Sequence, residues 1–390
     1  MSFVLPTNQN SINRHKDDGV LHITHVLESV SPSQGGTLTS TLDLCVALKE
    51  RGNRVSLAIV GPNADAKDAS TLEIDVVFAT LPSSIRLTNP LREILKQSHV
   101  VHLHTPWSLR NISIARFLKK ERIPYVVTTH GMLDRWSLKQ KPLKKHLFLN
   151  LFGKRFLRNA QAVHCTAESE KVQVLECDQL LRDRVCVAPC LFDAKDYLPL
   201  VDLRTIRHIP EILFLSRLHP KKGCEILIDA AKLLRDRGRT FTVSIVGPSD
   251  PFYLDWLIAK TQRLQLTEII KFSGMKLGRH KIDCYQNADI FALPTYQENF
   301  GLVLVEAMAS GLPVVTTRNT DIWCELESGG ARIVENTPEV FASSLEALIL
   351  DQKTRLNVGR QGSNHIAKWL DCDRTVRRYK EMYLVAIENS

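Results

Sequence analysis

"ADIFALPTYQENFGLVLVEAMASGLPVVTT", residues 288–317, runs through a strand, a turn, a helix and a second strand without interruption. "ADIFALP" and "LPVVTT" are short apolar, partly β-branched runs, each the length of a buried strand. Between them the stretch from Gly301 to Gly311 is apolar and small-sided and reads as a short buried helix. Strand, crossover helix and strand make a parallel unit, and parallel strands are covered on both faces. Two carboxylates break the apolar pattern: Glu306 in the middle of the helix and Glu298, eight positions earlier, at its mouth.

Outward from this stretch the alternation repeats. "EILFLSR" near 211, "FTVSIVG" near 241, "EIIKFSG" near 268 and "ARIV" near 331 complete a second-half series of strands. A first-half series holds "LHITHVL", "RVSLAIV", "HVVHLH", "YVVTTH", "AVHCTA" and "RVCVAP", most of them separated by helical spacing such as "STLDLCVALKERG" from Ser40. The reading is α/β with two doubly wound, Rossmann-like domains facing across a cleft, since such sheets bind ligands outside the carboxyl ends of their strands. Residues 1–20 are expected to be a flexible lead-in, 21–200 the first domain and 201–370 the second. "CLFDAKDYLPLVDLRTIRHIP" has poor periodicity and two prolines and reads as the linker. Residues 371–390 read as a terminal helix that packs back toward the first domain.

Composition narrows the class. The chain has 390 residues, 44% hydrophobic and 24% charged, enough for a core in each of two or three domains. No apolar run approaches the ~20 residues of a membrane-spanning helix, and the start lacks the apolar core of a signal peptide. A cytoplasmic location is expected. Nine cysteines in odd number without a CxxC pair fit neither a disulfide framework nor a zinc cage, and are expected to be reduced, mostly buried residues. The net charge of +9 is concentrated: from Arg135 to Ala167 there are eight Lys or Arg and no Asp or Glu.

Candidate chemistry lies at strand ends. "FLSRLHPKKG" sets Arg217 and Lys222 between a strand and the helical "CEILIDAAKLL", a combination that suits an anion near a helix N-terminus, the alternative being a basic surface turn. "SIVGPSD" and "FSGMK" end strands at Gly247 and Gly274. In the opening stretch the amides of Asn299, Phe300, Gly301 and Leu302 would point out of a helix start toward an anion. Eight helical residues rise ~12 Å and turn slightly past two turns, so Glu298 and Glu306 sit on neighbouring faces about a diphosphate and its flanking sugars apart. Carboxylates accept paired hydrogen bonds from vicinal hydroxyls. One Glu for a transferred sugar and one for a ribose, with cations and amides for the charge between them, describes a nucleotide-sugar site. The plainer alternative is that Glu306 is the helix's solvent-facing residue.

Taken in order, Arg217, Lys222–Gly223 and the Glu-x7-Glu of Glu298 and Glu306 resemble glycosyltransferase family 4, retaining GT-B glycosyltransferases of the bacterial polysaccharide type. The resemblance covers nearly the whole chain: "SQGGTLTSTLDLCVALKERGNRV" resembles the family's amino-terminal glycine loop and first helix, and "TTHGMLDRWSLKQKPLKK" the segment with its active-site His. It implies a hexosyltransferase acting on a nucleotide diphosphate sugar, most commonly UDP-glucose, and a sugar or lipid-linked acceptor in polysaccharide or glycolipid synthesis. Arg217 and Lys222 would bind the diphosphate and stabilise the leaving group. Glu298 would contact the donor sugar and Glu306 the ribose hydroxyls. Phe300, Gly301 and Leu302 would offer amides, Gly36 would let the loop approach the diphosphate, and His130 would lie beside the anomeric centre. Gly247 and Met275 would lie near the base.

The resemblance also implies front-face transfer, with the leaving phosphate taking the acceptor's proton and His130 a neutral hydrogen-bond partner rather than a general base. No Asp-x-Asp ends a strand, so no metal or other cofactor is expected, the cations taking that part. His102 and His104 of "VVHLHTPW" end another strand and are candidates for substrate contact, structural histidines being the alternative. "APCLFD" departs from the family, with Cys190 and Leu191 where an Asn-Gly turn is usual, which bears on local turn geometry.

Two rivals fail on pattern. A dinucleotide oxidoreductase needs GxGxxG after a strand, which "SQGGTLTS" does not supply. A non-catalytic nucleotide- or nucleic-acid-binding protein would use the charge, but the excess lacks the aromatic interleaving of a single-strand channel, so no nucleic-acid partner is expected. The basic segment, residues 135–159, reads as an amphipathic helix. Leu143, Leu147, Phe148, Leu151, Phe152 and Phe156 form one face, with Lys144, Lys145, Lys154 and Arg155 among the cations around it. It would either rest on an anionic membrane, at the inner face of the plasma membrane, or pack on the first sheet with its cations in water.

Overall fold

The computed structural model describes residues 19–30, 36–61, 74–79, 87–198 and 207–390. Most of the expected lead-in, the glycine-loop residues 33–35 and part of the linker, 199–206, lie outside the described residues. Two units emerge. One comprises the chain up to Thr166, then Glu170–Leu191 and Cys372–Ser390; the other comprises Ala167–Ser169 and Phe192–Asp371.

Among the described residues the first unit holds seven strands: β1 (His22–Leu27), β2 (Arg54–Ile59), β3 (Asp75–Phe78), β4 (Val100–His104), β5 (Tyr125–Thr128), β6 (Ala162–Cys165) and β7 (Val185–Val187). All pair in parallel, in the order β3-β2-β1-β4-β5-β6-β7. Strand β3 was not among the expected strands. It is a four-residue edge strand with its first residue exposed and the rest half-buried, so it carries no long apolar run.

Every second residue in this sheet serves the opposite layer. Val26, Val101, Val127 and Val163 pack with Leu91, Leu118, Phe156 and Leu157 on one face. Ile23, Leu57, Val100 and Val126 pack with Leu44 and Leu48 on the other. The helix Cys372–Glu388 joins that second layer, burying Val376, Tyr379, Tyr383 and Ala386 against it. In "APCLFD", Cys190 and Leu191 are themselves buried, so the position of the usual Asn-Gly turn is held here by apolar packing.

Among the described residues the second unit has six parallel strands: β8 (Glu211–Leu215), β9 (Thr242–Val246), β10 (Ile270–Phe272), β11 (Ile290–Leu293), β12 (Val314–Thr317) and β13 (Arg332–Val334). Their order is β10-β9-β8-β11-β12-β13. In both sheets the order reverses beside the unit's first strand, between β1 and β4 and between β8 and β11. Those are the topological switch points where doubly wound sheets bind ligands.

The nine cysteines are all free. Cys45, Cys165, Cys190 and Cys224 are buried, four are partly buried and Cys324 is exposed, so burial is less general than expected. Among the described residues no helix is long and apolar enough to cross a membrane.

Candidate active site

The second unit's switch point is built by two turns. After β8 the chain passes Arg217, which is exposed, and a short 3-10 turn, Pro220–Lys222, before the helix Cys224–Asp236. After β11 it turns through Tyr296–Gly301 into the helix Leu302–Ala309. The turns are stitched together: the Lys221 carbonyl accepts from the Tyr296 amide at 2.8 Å and the Thr295 hydroxyl at 3.1 Å. Across this seam the Lys222 ammonium is ion-paired with Glu298, their side chains only 11% and 15% exposed. Burial pushes the Glu298 carboxyl upward, but Lys222, then Lys221 and the Asn299 amide, outweigh it and hold it below the ordinary glutamate value. The structure therefore brings Lys222 and Glu298 together and leaves Arg217 outside that pair.

Glu306 is buried rather than solvent-facing. A buried carboxylate without partners would be strongly unfavourable, and two side chains answer it. Lys281 Nζ lies 2.6 Å from Oε1, and the Tyr285 hydroxyl donates to Oε2 at 2.6 Å. Both come from one face of the helix Gly278–Gln286, one turn apart. Sequence reasoning missed them; the signal available was an i, i+4 Lys and Tyr, which points to a shared face but not to a target. Burial, followed by the neighbouring Glu306, drives the Tyr285 hydroxyl well above its usual range, so it stays protonated as a donor.

The amides at the mouth of the helix are not equivalent. Asn299's is engaged by the Glu298 carboxylate, and its side chain donates to Asp321 at 2.9 Å. The Phe300 side chain is buried and stacks on Trp369, so only its backbone is available. Gly301 caps the helix with φ 63°, and a Cβ there would lie 2.8 Å from the Glu298 side chain. Leu302 begins the helix, where amides lack partners within it. Gly247 has a packing reason of its own: φ is 148°, and a Cβ would sit 1.8 Å from the Ser216 carbonyl on the neighbouring strand's end. Met275 is exposed.

In the first unit, His130 follows β5 in a left-handed conformation, φ 49°. Its loop is clamped by Glu170, a residue sequence reasoning passed over. One Glu170 oxygen accepts from the Thr129 hydroxyl at 2.6 Å and from the Gly131 amide. The other accepts from the Thr166 amide and hydroxyl at 2.6 and 2.8 Å. Burial pushes His130 down to about 4, so the ring is neutral near pH 7. His102 and His104 are 0% and 4% exposed and hydrogen-bonded within the unit, in keeping with structural histidines. Gly36 is exposed and begins the helix Gly36–Glu50.

The basic segment is less regular than a single amphipathic helix. It runs as Arg135–Lys139, Pro142–Phe148, a π-helical turn at Leu149–Gly153, and Lys154–Asn159. The extra residue of the π turn re-phases the faces. Phe148, Leu149, Phe156 and Leu157 pack on the sheet, while Leu143, Leu147 and Leu151 are 87%, 61% and 58% exposed. The expected single apolar face is thus split in two. Lys144 and Arg155 are exposed and Lys154 partly so. Lys145 turns inward, donating to the Ser137 carbonyl at 2.6 Å and lying 5.1 Å over the Trp107 ring.

Two Rossmann-like halves with charged turns at a switch point define an α/β protein of the GT-B fold. The chain belongs to glycosyltransferase family 4: the family described as "Glycosyltransferase Family 4" matches residues 34–196, and "Glycosyl transferases group 1" matches 207–365. Among curated relatives, the D-inositol 3-phosphate glycosyltransferase of Corynebacterium glutamicum is 28% identical over 246 residues, 59% of each chain. The match spans between 58% and 64% of the length of the first three such relatives. Among solved structures, Anabaena Alr3699/HepE in complex with UDP and glucose aligns with a TM-score of 0.75 at 20% identity, covering 93% of this chain and 98% of that one. Sucrose-phosphate synthase from Thermosynechococcus elongatus aligns at 0.74 with 18% identity and the same coverage.

Proposed function

We propose that the protein is a retaining, metal-independent hexosyltransferase that uses a nucleotide diphosphate sugar, UDP-glucose or a close analogue. The observation that carries this reading is the pair of turns at the β8/β11 switch point, where Lys222, Glu298 and the start of the Leu302–Ala309 helix converge ahead of a buried Glu306. Departure of a nucleoside diphosphate builds negative charge on its phosphates and positive character on the sugar ring. Arg217, Lys222 and the amides of Phe300, Gly301 and Leu302 would offset the first, the kind of preorganised contribution that usually dominates catalysis. Glu298 would hold the transferred sugar and Glu306 the ribose, whose hydroxyls can add to lone pairs that Lys281 and Tyr285 leave open. Gly36 would approach the diphosphate and His130 the sugar, while Gly247 and Met275 would border the base. The UDP and glucose held by Anabaena HepE support the choice of donor.

The acceptor is proposed as a sugar or lipid-linked sugar in polysaccharide or glycolipid synthesis, reached at the inner face of the cytoplasmic membrane. Support for that location comes from the exposed Leu143, Leu147 and Leu151 interleaved with Lys144, Lys154 and Arg155. The deciding assay offers UDP-glucose with an acceptor panel that includes D-inositol 3-phosphate, the substrate in the names of the curated relatives. Slow UDP release without acceptor, and a product whose anomeric configuration by proton NMR matches the donor's, are expected. An inverted product would overturn the mechanism, and no UDP release from any donor would favour a binding protein instead.

A further inference from the structure

The register of the first sheet gathers an unusual number of polar rings at its centre. His25 pairs with His102 across β1 and β4, His104 with Thr128 across β4 and β5, and Thr128 with His164 across β5 and β6. Tyr383 of the Cys372–Glu388 helix enters the same layer. His25, His102, His104 and His164 are at most 4% exposed; His130 alone of the five rings is partly exposed. Burial holds His25 down at about 3 and His130 at about 4, and pushes the other three below their ordinary values, so each ring is neutral near pH 7. A neutral imidazole has one donor and one acceptor nitrogen, and a hydroxyl has one proton to give.

These rules fix every proton, starting from an atom that can only accept. The Ala188 carbonyl lies 2.8 Å from His164 Nε2, so that nitrogen carries the proton and Nδ1 does not. Thr128 therefore donates its hydroxyl proton to His164 Nδ1 at 2.8 Å, and accepts from His102 Nε2 at 2.6 Å. His102 Nδ1 is then an acceptor, filled by the Tyr383 hydroxyl at 2.8 Å. With its proton spent, the Tyr383 oxygen accepts from His25 Nε2 over 3.5 Å, the longest link. His25 Nδ1 accepts from His104 Nε2 at 3.1 Å, and His104 Nδ1 accepts from His130 Nε2 at 2.9 Å. Seven bonds run in one direction, and the last ring atom, Nδ1 of His130, is left without a proton.

We infer that His104, His25, Tyr383, His102, Thr128 and His164 are positioning residues that lock His130 as its Nε2–H tautomer, so that its Nδ1 meets the ligand as an acceptor only. Resting on the hexosyltransferase reading, this deepens it. The group His130 contacts must bring a proton, which a sugar hydroxyl does and an ionised carboxylate does not. The same rings could be taken for a metal site, since nitrogens of His25, His102 and His104 lie within 4.8 Å of one another. The hydrogen bonds argue otherwise. His102 and His104 stack with ring centres 4.4 Å apart and planes 24° from parallel, and the lone pairs of all three rings are already engaged.

Nitrogen-15 NMR of the histidine-labelled, ligand-free protein reads the tautomers without any need for turnover. Expected is a pyrrole-like Nε2 and a pyridine-like Nδ1 at His130, retained in Thr128→Ser. Thr128→Val and Tyr383→Phe, which break the chain at different places, should give His130 a mixed tautomer signal. They should also lower kcat, by roughly tenfold if the effect matches that of partners orienting metal-bound histidines, with the donor KM unchanged. Either variant carries the test by itself if the other fails to fold. A His130 proton on Nδ1 in the native protein, an unaltered tautomer in both variants, or stoichiometric zinc uptake that shifts the His25, His102 and His104 signals would each overturn the proposal. Expected tautomers in a protein that turns over no donor would support the network while sinking the transferase reading.

Discussion

Lys222 and Glu298 are ion-paired across the seam between two strand-end turns, each within a mostly buried side chain. Because the carboxyl is held below its ordinary value, the pair is linked to pH in a definite sense. Its contribution is complete above the unfolded glutamate value of about 4.3 and is lost as pH falls through the lower folded value. Replacing Glu298 by Gln strands a buried ammonium, at a cost of about 3 kcal/mol. Urea unfolding at pH 7 should reveal that deficit, and the gap between native and variant should narrow as pH falls below the unfolded glutamate value. A gap that widens with acid would contradict the pairing.

Glu298→Ala and Glu306→Ala should differ in kind. With Glu306 changed, binding of a nucleotide sugar measured by calorimetry should weaken by a few kcal/mol, the scale of a lost charge-assisted contact. With Glu298 changed, turnover should fall more than affinity. Near-normal kinetics in both would remove the basis for the donor site.

Turnover should survive EDTA, since Arg217 and Lys222 are assigned the charge that a divalent ion would otherwise offset. Chelation that abolishes activity, with recovery on adding Mn²⁺ or Mg²⁺, would refute that assignment.

Gly247→Ala should destabilise the second unit by about 3 kcal/mol or more, because a methyl group there meets the Ser216 carbonyl at 1.8 Å in a backbone region closed to other residues. Thermal unfolding reads the loss. A variant as stable as the native chain would mean that the close approach at the β8 end relaxes freely.

Changing Lys144, Lys154 and Arg155 together to Gln should reduce sedimentation with anionic vesicles by roughly two decades in affinity, at about 1 kcal/mol for each charge. Changing Leu143, Leu147 and Leu151 to Ser should weaken it too, and neutral vesicles should leave the protein in solution. Equal recovery with anionic and neutral lipid would assign the cations to solvent.

Much of the fold was legible because parallel strands buried on both faces must be continuous apolar runs, as "EILFL" and "YVVT" are. Strand β3 was not, since an edge strand of four half-exposed residues has no need of such a run. At the candidate site, the Glu-x7-Glu spacing exposed Glu298 and Glu306, yet not what neutralises them. Lys281 lies 25 positions from Glu306 and Lys222 lies 76 from Glu298, and separations of that kind are set by topology. The basic segment misled for a local reason: a π-helical turn shifts the phase on which any helical wheel depends.

The helix Cys372–Glu388 closes the layer over β1, β4 and β5, although some 180 residues of another unit intervene between it and Leu191. On the ribosome the first unit therefore emerges early but waits for its last layer until after the second unit's chain is complete. Until then Val100, Val126 and the polar rings of His25 and His102 lack the cover that Val376, Tyr379 and Tyr383 provide. The unit made first is finished last, and chaperones have their longest opportunity at that uncovered sheet.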